Sequence, residues 1–249
     1  MDAITGKVPV FINLQPAWQG NSRAYAGLYH AELHTLNEIG GHSMSNIITV
    51  SREFGSGGRE LGKRLADELG FRYYDREIVS ALSELTGMDE NYLEQQLESG
   101  SAQTMFPIHY AQSFSQLTTV SDPGVQILSL QTRVIRELAA KGDCIFVGRA
   151  ADALLEEAHP FKLFVYADEA SKLTRCRSRA KDGESLTDRE MIRQMKRIDK
   201  ARAEFYDVIA SHQWGDKAAY HLCVNTTGVV IKELIPAIAH YYRLWKTSA

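Results

Sequence analysis

The amino-acid sequence predicts an α/β fold in which helices flank a parallel sheet of five strands. From residue 47 onward, short apolar runs alternate with segments of helical period, which is the pattern of repeated βαβ units. Runs such as IITV at 47–50 and CIFV at 144–147 lack polar alternation, as expected of strands covered on both faces. The length of 249 residues fits one or two domains.

Five segments are the predicted strands, and helices connect them. The strands are 46–51, 71–74, 144–147, 162–167 and 220–225. The helix after the first strand carries leucines every four residues and ends at Gly70, as a helix with a C-terminal glycine does. Thr187 and Glu190 have the spacing of a capping box and start another helix. Apolar stripes predict two more helices, over 127–138 and from about residue 229.

Two regions do not follow this alternation. Residues 1–44 show no sustained period and end at Met44, just before the first strand, so we interpret them as an extension that is either accessory or the product of a misassigned start. The domain itself is predicted over 45–249. Within it, residues 86–124 are weakly patterned and rich in Ser, Gln and Met, which we interpret as a mobile insert that covers the substrate.

Composition favours a cytoplasmic protein that binds small molecules. Lys and Arg number 28 against 31 Asp and Glu, giving a net charge of -3, so no overall positive field attracts nucleic acid or anionic lipid. No apolar stretch approaches the roughly 20 residues that cross a bilayer. The three cysteines form no CxxC pair, which is typical of buried thiols in a reducing compartment.

A glycine-rich turn between the first strand and the first helix is the strongest functional signal. Gly55, Gly57 and Gly58 lie where a strand enters a helix. Such a turn directs several backbone N–H groups and the positive helix end toward one point, which suits a phosphate chain. The alternative is an ordinary turn whose glycines only provide flexibility.

This turn departs from the usual P-loop, GxxxxGK followed by Ser or Thr. When Gly57 is aligned with the glycine before the lysine, Gly58 occupies the lysine position and Arg52 occupies the first glycine position. Arg59 is then the nearest cation, and its forked guanidinium suits β- and γ-phosphate oxygens. The hydroxyl on the metal side would come from Ser56 or Ser51.

Four stretches of the chain together resemble the cytidylate-kinase-like family, a divergent branch of the P-loop nucleoside monophosphate kinases. They are ITVSREFGSGGRELGKRLADELGFRYYDREIV, CIFVGRAAD, DKARAEFYDVIASHQWGD and YHLCVNTTG. The resemblance spans about residues 47–234 and implies the three-layer P-loop NTPase fold, with a helical lid and an acceptor-binding insert. It also implies ATP with Mg²⁺ as donor and a nucleoside monophosphate, typically CMP or dCMP, as acceptor.

The resemblance further implies an acceptor site after the second and third strands. Asp75 and Arg76 follow the second strand, where related kinases carry an Asp that begins the monophosphate-binding helix. An alternative is that Asp75 is only a helix N-cap. Arg149 ends the third strand, at the sheet edge where ligands of α/β folds bind. The family has Gly-Arg-Asp there, whereas this chain has Ala150 in the acid's place and its next acid at Asp152.

A cationic lid is predicted after the fourth strand, over about 172–200. Its positive residues are Lys172, Arg175, Arg177, Arg179, Lys181, Arg189, Arg193, Lys196, Arg197 and Lys200, followed by Arg202. Phosphoryl transfer needs cations around the oxygens of the moving group. A solvated helix face or a nucleic-acid surface are the alternatives.

Within this region, the resemblance implies Arg175 as a lid arginine, with Arg179 one turn further on the same face. It also implies that Asp199 and Arg202 lie between donor and acceptor, although an intrahelical ion pair explains their spacing equally well. Thr227, after the fifth strand, corresponds to a loop over the donor adenine, and it equally suits an ordinary turn.

The resulting prediction is an ATP-dependent phosphotransferase that acts on a nucleoside monophosphate, first of all CMP or dCMP. The donor side comprises Gly55, Ser56, Gly57, Gly58, Arg59, Glu60 and Thr227. The acceptor side comprises Asp75, Arg76, Arg149 and Asp199. The catalytic cations are Arg59, Arg175, Arg179 and Arg202, with Mg²⁺ held mainly through water. Two alternatives stay open: a kinase of the same fold with a different acceptor, and a nucleotide-binding regulatory module without turnover.

Overall fold

The structure is a computed structural model that describes residues 46–99, 123–179 and 186–248. The predicted extension over 1–44 lies outside the described residues, so its interpretation stays a prediction. In the described part of the chain, no helix is long and apolar enough to cross a bilayer.

Five parallel strands form the sheet, which confirms the predicted fold class. They are β1 (Ile47–Arg52), β2 (Arg72–Tyr74), β3 (Cys144–Val147), β4 (Phe161–Tyr166) and β5 (Leu222–Asn225). Their order is β2-β3-β1-β4-β5, so β1 lies in the centre. Ile47 pairs with Cys144 of β3, and Ile48 pairs with Phe161 of β4. Each strand lies within two residues of its predicted bounds, and β3 matches them fully.

Helices cover both faces of this sheet. They are α1 (Gly58–Leu69), α2 (Glu77–Thr86), α3 (Glu90–Ser99), α4 (Pro123–Ala139), α5 (Ala151–Leu154), α6 (Glu169–Arg179), α7 (Asp188–Ile209) and α8 (Ile231–Ser248). Short 3₁₀ turns lie at Glu156–Ala158 and Lys217–Ala219.

The main hydrophobic core lies between the sheet and the pair α1 and α8. Leu61 and Leu65 of α1 are fully buried, and they pack with Ile235 and Ile238 of α8 on the central strands. A side chain at Gly62 would put its Cβ 2.7 Å from Val147 Cγ2, so this glycine allows α1 to pack closely on β3. The close packing fixes the start of α1 against the end of β1.

The first part of the predicted insert is helical, and its mobility and its role over a substrate stay predictions. Residues 90–99 form helix α3, and Leu93 and Leu97 are buried. The four-residue spacing of these leucines was the available signal. Residues 100–122 lie outside the described part, so the role of the remaining insert stays a prediction.

The predicted capping box at the start of α7 is confirmed. Thr187 Oγ1 accepts a hydrogen bond from Glu190 N at 3.3 Å, and Glu190 Oε2 accepts one from Thr187 N at 2.8 Å. We expect Thr187→Ala to lower the free energy of unfolding by about 1 kcal/mol, because the Glu190 amide loses its side-chain acceptor and the Glu190 carboxylate loses the hydroxyl donor of Thr187. Urea unfolding measures this loss. Thr174→Ala, which removes an exposed hydroxyl bonded to Ala170 O, is the control and should change stability by less than about 0.5 kcal/mol.

Candidate functional site

The glycine turn lies at the carboxyl edge of the sheet, between β1 and α1. Gly55 (φ 77°) and Gly57 (φ 86°) adopt left-handed backbone conformations, which favour glycine. A Cβ on Gly55 would lie 3.0 Å from Lys172 O, and one on Gly57 would lie 2.1 Å from Ile231 Cδ1. The backbone conformation and the close packing therefore both require glycine at these two positions. The alternative in which these glycines only make the turn flexible is wrong.

The turn is held rigid by its own hydrogen bonds. Ser56 is fully buried, and its Oγ donates to Glu53 O at 2.8 Å. Thr226 Oγ1, from the loop after β5, donates to Ser56 O at 2.7 Å. The Ser56 hydroxyl is thus engaged inside the turn, while the first-turn N–H groups of α1 have no intrahelical acceptor.

Arg52 fills the space that a P-loop lysine would need. A Cβ on Gly58 would lie 2.5 Å from Arg52 Cβ. The Arg52 side chain then extends across Gly148 at the end of β3, where a Cβ would lie 1.3 Å from Arg52 Nη1. Arg52 is 8% exposed, and its Nη2 lies 3.7 Å from Asp75 Oδ1. The sequence analysis missed this cation, although the motif alignment had placed an arginine at a glycine position.

Asp75 has a buried carboxylate that forms ion pairs with two arginines. Arg59 Nε lies 2.5 Å from Asp75 Oδ2, so Arg59, expected over the donor phosphates, is here engaged with the acid predicted on the acceptor side. The N-cap residue of α2 is Arg76 and not Asp75, and the alternative in which Asp75 only caps this helix is wrong. The exposed Arg76 side chain points to Glu94, with Nε 3.9 Å from Oε1.

A cleft lined by three arginines opens beside Asp75. Arg52, Arg149 and Arg202 line it, together with Leu97, Tyr206 and Trp214; we call it the arginine cleft. Arg149 (φ 59°) and Ala150 (φ 51°) have left-handed backbones, which cost roughly 1–2 kcal/mol per residue. Such strain outside glycine is concentrated at functional sites.

Asp152 does not replace the family's missing acid in this cleft, because it is fully buried beneath it. Its Oδ2 accepts from Tyr206 Oη at 2.5 Å, and its Oδ1 accepts from Ser51 Oγ at 3.3 Å. Burial raises the pKa of Asp152 above the ordinary value. Tyr206 Oη also lies 2.8 Å from His212 Nε2. Asp152 therefore supports the floor of the cleft.

Two of the predicted lid arginines contact residues next to the glycine turn. Arg175 donates to Thr226 O and, at 3.5 Å, to Val229 O. Arg179 Nη2 lies 2.7 Å from Glu60 Oε2, in the first turn of α1. Thr227 Oγ1 accepts from Asp168 N at 2.9 Å, which holds the loop after β5 against the start of α6.

Other lid cations lie away from the turn and pair along the helix surfaces. Arg177 pairs with Asp188, Lys196 with Glu169, and Lys200 with Glu204. For these three residues, the solvated-face alternative describes the structure best.

Asp199 and Arg202 form more than an intrahelical ion pair. They lie 3.2 Å apart, and both also hold the start of the glycine turn. Asp199 Oδ1 accepts from Phe54 N at 2.6 Å, while Arg202 Nη1 donates to Arg52 O at 3.2 Å. Burial raises the pKa of Asp199. The turn is thereby attached to α7.

A second contact that holds the glycine turn, an ion pair to helix α6, was not predicted from the sequence. Lys172 Nζ lies 2.9 Å from Glu53 Oε2, which ties α6 to the residue that follows β1. The two residues are far apart in the chain, and no local pattern connects them.

The parallel sheet, the glycine turn after its central strand and the cations at its carboxyl edge define a P-loop kinase type of protein. The chain belongs to the cytidylate kinase-like family, whose sequence model matches residues 47–228. This confirms the resemblance stated above. Membership of this family supports a kinase-type phosphotransferase.

Several solved structures are similar to this chain. An uncharacterized protein from Eubacterium ventriosum is 23% identical, with a TM-score of 0.57, covering 80% of this chain and 98% of that one. Shikimate kinase from Bacteroides thetaiotaomicron is 14% identical, with a TM-score of 0.49 and coverages of 80% and 98%. Shikimate kinase from Acinetobacter baumannii, in complex with shikimate, is 17% identical, with a TM-score of 0.44 and coverages of 79% and 92%. No curated protein sequence matches the chain.

Proposed function

We propose that the protein transfers the γ-phosphoryl group of ATP to a nucleoside monophosphate, with CMP or dCMP as the first acceptor to test. One observation carries this proposal: the rigid glycine turn and the arginine cleft lie side by side at the carboxyl ends of β1 and β3. A phosphate-binding turn beside a second cationic pocket suits two phosphorylated substrates, since ligands of α/β sheets bind at this edge.

On the donor side, the triphosphate would bind the backbone amides around Gly55, Ser56, Gly57 and Gly58. Arg175 and Arg179 would contact its oxygens, and Thr227 would belong to the loop over the adenine. Arg59 and Glu60 belong to the first turn of α1 and would flank the phosphates. The contacts of Arg175 with Thr226 O and of Arg179 with Glu60 support this assignment.

On the acceptor side, the phosphate group of the monophosphate would bind at the arginines of the arginine cleft. Arg149 and Arg202 would neutralise its phosphate, with Asp75, Arg76 and Asp199 orienting the nucleotide and the arginines. In the transfer, the bond between the γ-phosphorus and the bridging oxygen breaks, and its electron pair stays on the β-phosphate. A bond from γ-phosphorus to an acceptor phosphate oxygen forms. No proton has to move, because this oxygen is already anionic.

Mg²⁺ would enter this site with ATP. In the described part of the chain no group of three His, Cys, Asp or Glu side chains could hold a metal ion, and the Ser56 hydroxyl is engaged with Glu53 O. These residues fit an ion that is bound by phosphate oxygens and water rather than by a protein cage. When bound, Mg²⁺ neutralises charge on the β- and γ-phosphates.

A different acceptor is the second candidate function. The family's acid after the arginine is absent at Ala150, and Asp152 is buried beneath the cleft, so a base-recognising carboxylate at this point is missing. A kinase of the same fold with another small acceptor would need no such acid.

A third candidate function is a regulatory module that binds nucleotide without turnover. The absence of a lysine at the position of Gly58 favours this function.

Coupled measurement of ADP release, with MgATP and a panel of nucleoside monophosphates and non-nucleotide small acceptors, distinguishes these functions. We expect acceptor-dependent turnover, with CMP or dCMP giving the largest kcat/KM. Turnover with non-nucleotide small acceptors alone would replace the proposed acceptor. Binding of MgATP without any acceptor-dependent turnover would contradict the kinase proposal and support the regulatory module.

A further inference from the structure

The two departures of this chain from the GxxxxGK motif are in contact with each other. Arg52 stands at the first glycine position and Gly58 at the lysine position, six residues apart. A Cβ on Gly58 would lie 2.5 Å from Arg52 Cβ and 2.9 Å from Arg52 Cγ. Real Cβ atoms do not approach other atoms this closely, so the Arg52 stem and a side chain at residue 58 exclude each other. The Arg52 side chain therefore requires a glycine at position 58.

A third position is adapted to the same arginine. Gly148 ends β3 with a φ of 75°, and a Cβ there would lie 1.3 Å from Arg52 Nη1 and 2.5 Å from Arg52 Cζ. The Arg52 guanidinium therefore lies over the end of β3, between the glycine turn and the arginine cleft that it lines. This is the boundary between the proposed donor and acceptor sides.

The surroundings hold this guanidinium in position. Asp75 Oδ1 lies 3.7 Å from Arg52 Nη2, and the Arg52 carbonyl accepts from Arg202 Nη1 at 3.2 Å. Arg59, the other candidate, has a side chain that is 47% exposed, and its Nε lies 2.5 Å from Asp75. Of the two candidate cations, Arg52 is thus the one that is buried and held in place by its contacts.

We propose that Arg52 is the catalytic cation at the transferring γ-phosphoryl group, in the role that the P-loop lysine has in the GxxxxGK motif. This inference rests on the proposed function and deepens it. A lysine in the motif reaches the β- and γ-phosphates from the start of the helix. Arg52 reaches the same group from the end of β1. Its planar fork donates two hydrogen bonds to phosphoryl oxygens, and it stays charged throughout.

A swap of the two positions tests this directly. Arg52→Gly should lower kcat about 1,000-fold, the effect of losing an arginine that stabilises phosphoryl-transfer charge. Gly58→Lys alone should also lower it, because the new side chain collides with Arg52. The double variant Arg52→Gly/Gly58→Lys restores GxxxxGK, and it should be at least about 10-fold more active than Arg52→Gly. Arg133→Ala, which removes an exposed arginine paired with Glu137, is the matched control and should keep wild-type activity.

Two further variants keep the test independent of folding defects. Arg52→Lys retains the stem and one charge, and should fold normally but lose at least about 10-fold in kcat. Gly148→Ala should displace the guanidinium and lower kcat. Gly87→Ala is the control for Gly148→Ala. Gly87 has a φ of 69°, similar to that of Gly148, and a Cβ there would have no neighbour within 4 Å. Its substitution therefore measures only the effect of placing alanine in this backbone conformation.

The outcomes separate this inference from the proposed function. If wild-type turnover is present and Arg52→Gly stays within about 3-fold of it, or if the double variant is no better than Arg52→Gly, the inference is wrong. Loss of turnover in Arg59→Ala but not in Arg52→Gly would assign the role to Arg59 instead.

If the wild type shows no turnover, calorimetry with MgATP still tests Arg52. We expect Arg52→Gly to weaken MgATP binding at least about 10-fold, and we expect the double variant to recover that affinity. Equal affinity of all three proteins would overturn the inference.

Discussion

Replacing Gly58 by alanine is expected to lower kcat/KM by at least about 100-fold while the protein stays folded. The added Cβ would lie 2.5 Å from Arg52 Cβ and 3.4 Å from Val165 Cβ. Both neighbours belong to central strands of the sheet, so the start of α1 has to move away from them. Displacing a reacting group by about 1 Å is enough to cost roughly 100-fold in rate. The steady-state assay with MgATP and the preferred monophosphate measures the loss.

Gly70→Ala is the matched control on the same helix. Gly70 has a left-handed backbone (φ 70°) but no neighbour within 4 Å. Its substitution should cost about 1–2 kcal/mol of unfolding free energy and leave kcat/KM unchanged. If Gly58→Ala retains wild-type kcat/KM, the position of the glycine turn does not govern the chemistry.

Replacing Asp152 by alanine is expected to lower the free energy of unfolding by about 3 kcal/mol. Asp152 is 1% exposed and accepts hydrogen bonds from Tyr206 Oη and Ser51 Oγ. Without it, two hydroxyls beneath the arginine cleft lose an acceptor and a cavity is left behind. Asp152→Asn retains one acceptor oxygen, and we expect it to lose less than about 1 kcal/mol near neutral pH.

The pH dependence of stability gives an independent check on Asp152. Burial raises the pKa of Asp152 in the folded protein above that of a solvent-exposed carboxyl. A raised folded pKa means that the contribution of this group to stability is fully present below the unfolded pKa and is lost as the pH rises through the folded pKa. The stability of the wild type relative to Asp152→Asn should therefore fall as the pH is raised through the folded pKa of Asp152. A pH-independent difference, measured by urea unfolding, would contradict this account.

Much of the fold could be predicted because its signals are local in the sequence. The apolar runs of β1 and β3 are buried on both faces, and the capping box of Thr187 and Glu190 depends on residues three apart. Helix α3 was missed because two leucines, Leu93 and Leu97, were its main apolar signal. Two apolar positions in ten residues give too weak a periodicity to distinguish a helix from a loop.

The candidate site was predictable in its parts but not in its contacts. The glycine turn, Asp75 and Arg149 stand out as motif residues, and family resemblance suggested their roles. The mutual exclusion of Arg52 and a side chain at Gly58 depends on how β1 enters α1. The attachment of Glu53 to Lys172 joins residues 119 positions apart in the chain. Such contacts follow from tertiary packing, which a single sequence does not specify.

The most direct test of the central claim is a crystal structure of the protein with a non-hydrolysable MgATP analogue. Phosphate oxygens should lie about 3 Å from backbone nitrogens of the turn between residues 55 and 60, with the Arg52 guanidinium on the γ-phosphoryl group. A triphosphate bound elsewhere on the protein, with the turn unoccupied, would contradict the account.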